Sequence, residues 1–225
     1  MNPDQRRSAI LAAALEVMRR KGIAATTVRD VAERMGTSSG LVHHYFASMD
    51  DLLAAAFEQA AAADLAGTVE AMDAVADPVE RLRTFFGTYV RAEQDWAFQL
   101  WLDAWAEAAR RPALQATSRR LNVAWQQVLA GCVRDGVAAG AMTCPDPDAT
   151  AWRVLSLLDG LALQSVAHRV PVGRDVVVEW SAGLAETELG LPAGTLGRAA
   201  GPAVSRAAGA AATRAAGRAG RRRPA

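Results

Sequence analysis

Two cysteines and three histidines in 225 residues leave little material for a metal site or a disulfide framework. Cys132 and Cys144 are too few and too poorly spaced for a metal cluster, and no matching histidine set lies near them. They read as reduced thiols of a cytosolic protein, and neither a metal nor another cofactor is expected. His43, His44 and His168 sit in no recognisable catalytic motif, which argues against an enzyme. No segment approaches the roughly 20 consecutive apolar residues that a bilayer span requires. The N-terminus carries Asp4, Arg6 and Arg7 ahead of a moderately apolar helix, which is not a secretory leader. A soluble, cytoplasmic protein with no membrane partner is therefore expected. Strand alternation is also missing. Val176, Val177 and Val178 stand in a row, but Trp180, Leu184 and Leu189 extend an apolar pattern beyond them, so they read as the first turn of a late helix. The expected fold is all-α.

What is present is unevenly distributed. A hydrophobic content of 51% over this length can bury a sizeable core and suits one small module followed by one larger domain. The net charge of +1 conceals an asymmetry. Residues 1–50 hold 7 basic against 5 acidic side chains, residues 51–191 hold 11 against 19, and residues 192–225 hold 7 against none. A polyanion would be drawn to the N-terminal part and repelled by the middle, although an acidic surface also serves solubility. From Pro192 onward the chain is an Ala, Gly and Arg series ending in Arg221, Arg222 and Arg223, and it cannot bury enough surface to fold alone. It reads as a disordered basic tail, either a tolerated extension or an arm adding nonspecific phosphate contacts.

Residues 26–46, TTVRDVAERMGTSSGLVHHYF, carry the most specific signal. Thr27 stands as an N-cap with Asp30 three residues on. Val28, Val31, Ala32 and Met35 then recur at i, i+3, i+4 and i+7. Gly36 supplies the left-handed stop, and Ser38 is placed to cap a second helix. There Leu41, Val42, Tyr45 and Phe46 form the buried side, which leaves Ser39, Gly40, His43 and His44 outward. Helix, sharp turn and second helix in this spacing fit a DNA-reading unit, with hydroxyl and imidazole groups toward base edges and phosphates. A helical hairpin in an ordinary domain, with solvated histidines, is the plain alternative. The flanks favour DNA. Ile10, Ala13, Ala14, Val17 and Met18 line a helix over residues 3–21 that stops at Gly22, and Ser48 with Asp51 opens another bearing Leu52, Leu53, Ala56 and Phe57.

In order, spacing and residue type, residues 6–60 resemble the DNA-binding domain of the TetR family of bacterial transcriptional regulators. The resemblance implies that Thr27 and Arg29 contact phosphates. Ser39, Gly40, Leu41 and His43 would face bases, with Ser38 at the start of the recognition helix. His44 and Tyr45 would touch the DNA backbone, and Phe46 would anchor the core. One departure stands out: where the family usually has a phosphate-gripping lysine at the start of the next helix, this chain has Met49, followed by Asp50 and Asp51.

Beyond the module, expected over residues 5–60, an effector-binding and dimerisation domain is expected over residues 61–191. Helices are predicted from Asp77 through Tyr89, over residues 95–111 before Pro112, through Leu114 to Val133, from Asp148 through Leu163, and over residues 174–189. The tryptophan-rich segment 98–106, Trp125, DGVAAGAM, DPDATAW and LLDGLALQ resemble the C-terminal domain of the BetI-type branch of that family. Known members of the branch respond to choline, but many relatives sense other molecules, so a small-molecule effector follows while its identity does not. Phe98, Trp101 and Trp105 lie at i, i+3 and i+7, the spacing of a core or subunit-facing stripe. Aromatic faces also hold quaternary ammonium groups, with Asp103 adding charge, and Trp96, on another face, is the better single contact for such a ligand. The resemblance further implies a homodimer, with Trp152, Leu155, Leu158, Leu163, Trp180 and Leu184 at a four-helix interface, binding a palindromic operator in double-stranded DNA. The function expected is that of a ligand-responsive repressor; the competing class is a helical dimeric interaction protein without specific DNA binding.

Overall fold

Local sequence signals set most of the helix ends. In the computed structural model, which describes residues 2–89, 95–168 and 172–197, α1 (Pro3–Lys21) opens with a capping box between Asn2 and Gln5 and stops at Gly22, whose φ is 80°. The N-cap of α2 (Val28–Met35) is Thr27, in a reciprocal box with Asp30, and Gly36 ends the helix in the left-handed conformation at φ 63°. A helix of seven residues, α3 (Ser39–Tyr45), follows. Ser38 is its N-cap by backbone conformation, but its side chain makes no capping hydrogen bond, so the expected hydroxyl cap is not formed. Ser48 accepts from the Asp51 amide to start α4 (Met49–Asp73).

The remaining helices are α5 (Pro78–Tyr89), α6 (Asp95–Ala108), α7 (Pro112–Ala138), α8 (Pro147–His168) and α9 (Arg174–Glu188); among the described residues there are nine helices and no strand. Two apolar cores divide the molecule. One joins α1 to α4 with Leu100 and Ala104 of α6 and Leu114 and Leu121 of α7. The other gathers α5, the second half of α7, α8 and α9. Trp101 of α6 packs against both. Within the first core the Asp50 Oδ2 accepts from the Ala113 amide at 2.9 Å, capping the start of α7 from the start of α4.

Residues 192–197, grouped by sequence with the basic tail, lie against the second core instead. Leu196 is buried in its core, the Glu186 carboxylate accepts from the Gly194 and Leu196 amides, and Arg83 donates to the Thr195 carbonyl. The expectation of disorder for residues 198–225 lies outside the described residues.

Candidate DNA-binding surface and effector cavity

The helix-turn-helix is held by its inward residues. Val42 and Phe46 are buried beside Val31 and Ala32, while Leu41 and Tyr45 are only half-buried, so the second helix hides less of its apolar side than the periodicity suggests. His43, His44 and Gly40 are exposed, and Ser39 is half-exposed. The His44 and Tyr45 rings meet edge to face at 5.3 Å. A Cβ added to Gly40 would meet only the Ser38 Oγ, at 3.7 Å; nothing inside the protein requires glycine there. On α2, Arg29 is exposed. Thr27 is differently placed: its hydroxyl donates to the Asp30 Oδ2 at 2.7 Å and its amide to the same oxygen at 3.1 Å, so both its donors are engaged within the protein. The Lys21 ammonium, with the Thr27 groups, holds the Asp30 carboxyl down at about 2. Met49 is half-buried and packs on the N-terminal core. At the edge of the recognition helix the Arg7 guanidinium lies over the Phe46 ring at 5.0 Å.

A cavity lies among α4, α5, α6, α7 and α8, enclosed mainly by aromatic and aliphatic side chains. Its aromatic walls are Tyr89, Phe98, Trp101, Trp105 and Trp125, and two carboxylates, Asp64 and Asp159, face into it. Trp101 and Trp105 are 5.6 Å apart, Tyr89 and Phe98 5.8 Å, and Tyr89 and Trp125 6.1 Å, so the rings form adjoining panels. Burial, with the two carboxylates adding to it, pushes the Tyr89 phenol well above its ordinary range, so that it stays neutral. Burial also raises Asp159 to about 7. The Arg174 guanidinium covers the Phe98 ring at 5.3 Å and donates to the Tyr89 carbonyl at 3.3 Å, which places a cation just behind that wall.

Of the effector residues expected from sequence, Trp101 and Trp105 line this cavity. Trp96 and Asp103 do not. They lie in the groove between α1 and α6, with Arg19 over the Trp96 ring at 4.6 Å and the Asp103 carboxylate accepting from the Gln99 amide at 2.8 Å. The helical period explains the split, since Trp96 and Asp103 project from the face of α6 opposite Trp101 and Trp105. Sequence reasoning missed Asp64, Tyr89 and Asp159. The signal for Asp159 was present: Leu155, Asp159 and Ala162 stand at i, i+4 and i+7 and all line the cavity, so one acid interrupts an otherwise apolar stripe.

Among the residues expected at a subunit interface, Trp152, Leu163 and Trp180 are exposed, Trp180 by 53%. Leu184 is half-buried against the second core. Leu155 and Leu158 are buried at 3% and 0%, one on the cavity wall and one in the core, because they lie on the inward side of α8; they present no surface to a partner. Among the described residues no cluster of His, Cys, Asp and Glu is arranged to hold a metal ion, and no helix is long and apolar enough to cross a membrane. Burial pushes the Cys132 thiol up to about 12, so it stays protonated.

A helix-turn-helix with a solvent-facing second helix, joined to a helical domain enclosing an aromatic cavity, is the architecture of a DNA-binding transcriptional regulator. Residues 10–56 match the model of bacterial regulatory proteins of the tetR family, and residues 78–190 match that of the BetI-type transcriptional repressor C-terminal domain. The chain is 31% identical over 177 residues to the HTH-type transcriptional regulator BetI of Rhizobium meliloti, covering 77% of this chain and 84% of that protein. It is 31% identical over 183 residues to BetI 1 of Chromohalobacter salexigens, covering 78% and 85%. This protein belongs to the TetR family and carries a BetI-type C-terminal domain. Among solved structures, a transcriptional regulator from Saccharomonospora viridis in complex with choline shares the fold, with a TM-score of 0.75 and 24% identity over 83% of this chain and 98% of that one.

Proposed function

We propose that the protein is a homodimeric repressor that binds a palindromic operator and releases it when a compact organic cation enters the cavity. The observation that carries the effector class is the cavity wall, in which five aromatic rings and two carboxylates converge. Ring faces attract a cation through their quadrupoles, by about 2 kcal/mol or more once water is excluded. Alkylated ammonium suits this lining better than a primary amine, whose N–H donors need acceptors that indole and phenyl faces do not offer. The choline held by the Saccharomonospora viridis relative belongs to that class.

On DNA, Arg29 supplies a phosphate contact, Ser38 opens the recognition helix, Ser39, Gly40, Leu41 and His43 approach the bases, and His44 and Tyr45 touch the backbone. Thr27 joins them only by giving up one of its bonds to Asp30. Membership of a DNA-binding family supports this reading over a helical interaction protein without specific DNA binding. The test is a salt-titrated binding assay with the DNA flanking the protein's own gene against a scrambled duplex of equal length. Selective binding that weakens with salt and is reversed by choline or tetramethylammonium supports the proposal. Selective binding indifferent to every such cation removes the effector class. The Arg29→Ala variant should remain dimeric while the slope of log K against log salt falls by about 0.9 for each phosphate it no longer neutralises.

A further inference from the structure

Asp159 is an expensive residue where it stands. It occupies the cavity face of α8 between Leu155 and Ala162, and it makes no hydrogen bond or ion pair among the described residues, whereas Asp64 across the cavity has an interaction partner of its own. A half-buried carboxylate facing apolar and aromatic walls loses much of its hydration with no protein donor to offset the loss. Among the described residues, the other groups lining the cavity do not relieve that cost. Asp64 from α4 adds negative charge, and Tyr89 from α5 is a neutral phenol. The lining residues of α6 and α7, among them Trp101, Trp105, Asn122 and Trp125, carry no charge. From α9, Arg174 stands behind the wall formed by Phe98 and Tyr89.

Building on the organic-cation reading above, we infer that Asp159 is the counter-ion of the effector and that binding the cation drives the Asp159 proton into solvent, coupling effector uptake to proton release. The balance is simple. In the ligand-free protein near neutral pH, a fraction of the molecules carry neutral, protonated Asp159. The bound cation favours the carboxylate, the O–H bond of the acid breaks, and its proton passes to buffer. No covalent bond to the effector forms.

The sign follows from the raised value. With Asp159 titrating at about 7 in the ligand-free protein, a cation that binds only the ionised form meets fewer competent molecules as the pH drops. Apparent affinity then weakens about tenfold per pH unit below that value and levels off above it, by the same linkage that governs folding. A permanently charged effector removes any ambiguity about whose proton moves, since it has none to lose.

The test is calorimetry of the full chain with tetramethylammonium chloride, and separately with choline chloride, at pH 6.0 and 8.5. At pH 7 it is repeated in two buffers of different ionisation heat. The expected result is affinity weaker by about tenfold at pH 6.0 than at pH 8.5, with about half a proton released per cation at pH 7. Asp159→Asn should bind weakly and equally at both pH values. Asp64→Asn should keep the pH dependence. Thermal unfolding shows whether each variant is folded, and the experiment on the unaltered protein stands without them. Equal affinity at both pH values with no proton release overturns the counter-ion role while leaving the cation effector intact. Absence of cation binding at either pH overturns the effector reading and this inference with it.

Discussion

Asp30 carries two duties in the DNA-binding module. Its carboxylate completes the cap of α2 with Thr27 and anchors Lys21 at the end of α1, fixing the entry angle of α2 against the helix before it. Its folded value of about 2 lies below the ordinary 3.8, through the hydrogen bonds from Lys21 and Thr27. A depressed carboxyl contributes stability that is fully present above the unfolded value and lost as pH falls through the folded one. The unaltered protein should therefore unfold at a higher temperature than Asp30→Asn at pH 5, with the gap closing by about pH 2. A gap unchanged across that range would show that shape rather than charge holds the cap. At the start of α4, Met49 packs on the first core and Asp50 caps α7.

At the scale of elements, the seven-residue α3 exchanges stability for access. Gly40 lies in its first turn with helical backbone and open space around it. Gly40→Ala should therefore leave the fold unharmed or stabilise it by up to ~1 kcal/mol through helix propensity, while operator affinity falls, because the added methyl stands where the duplex must approach. A gain in both properties would remove Gly40 from the contact surface. Gly36 behaves in the opposite way. At φ 63° an alanine there costs about 1–2 kcal/mol. Helix ends such as these are legible in the sequence because glycine, proline and the Ser/Thr/Asp caps act locally. Helix faces in the effector domain are less so. The period of 3.6 says which residues share a stripe but not whether the stripe meets a core, a cavity or a partner, and so sequence alone favours Trp96 as the ligand contact and reads Trp101 and Trp105 as packing, whereas Trp101 and Trp105 line the cavity and Trp96 does not. Asp64 and Asp159 are illegible as a pair because they come from α4 and α8 and meet only in the folded chain.

Across the whole molecule, the two cores share Trp101, which lines the cavity and touches the Phe57 ring edge to face at 4.9 Å. Phe57 belongs to the same apolar core as Val42 and Phe46 of the recognition unit. A cation against Trp101 is thus one side chain away from the packing that orients α3, and it shifts DNA affinity only if the cavity differs between DNA-bound and released arrangements. Such coupling acts on operator spacing when two modules are held in fixed relation, which requires a second copy of the chain. In the proposed dimer the outer faces of α8 and α9 would supply the surface, where Trp152, Leu163 and Trp180 are exposed. Trp180→Glu tests this cleanly, because a side chain already 53% exposed contributes little to the protomer's own core. Its protomer should fold with little change in helicity, sediment as a monomer at concentrations where the unaltered protein is dimeric, and bind a full palindromic site no more tightly than a half-site. A variant that stays dimeric would move the interface off this face, and one that is monomeric yet keeps full operator affinity would break the link between dimerisation and DNA recognition.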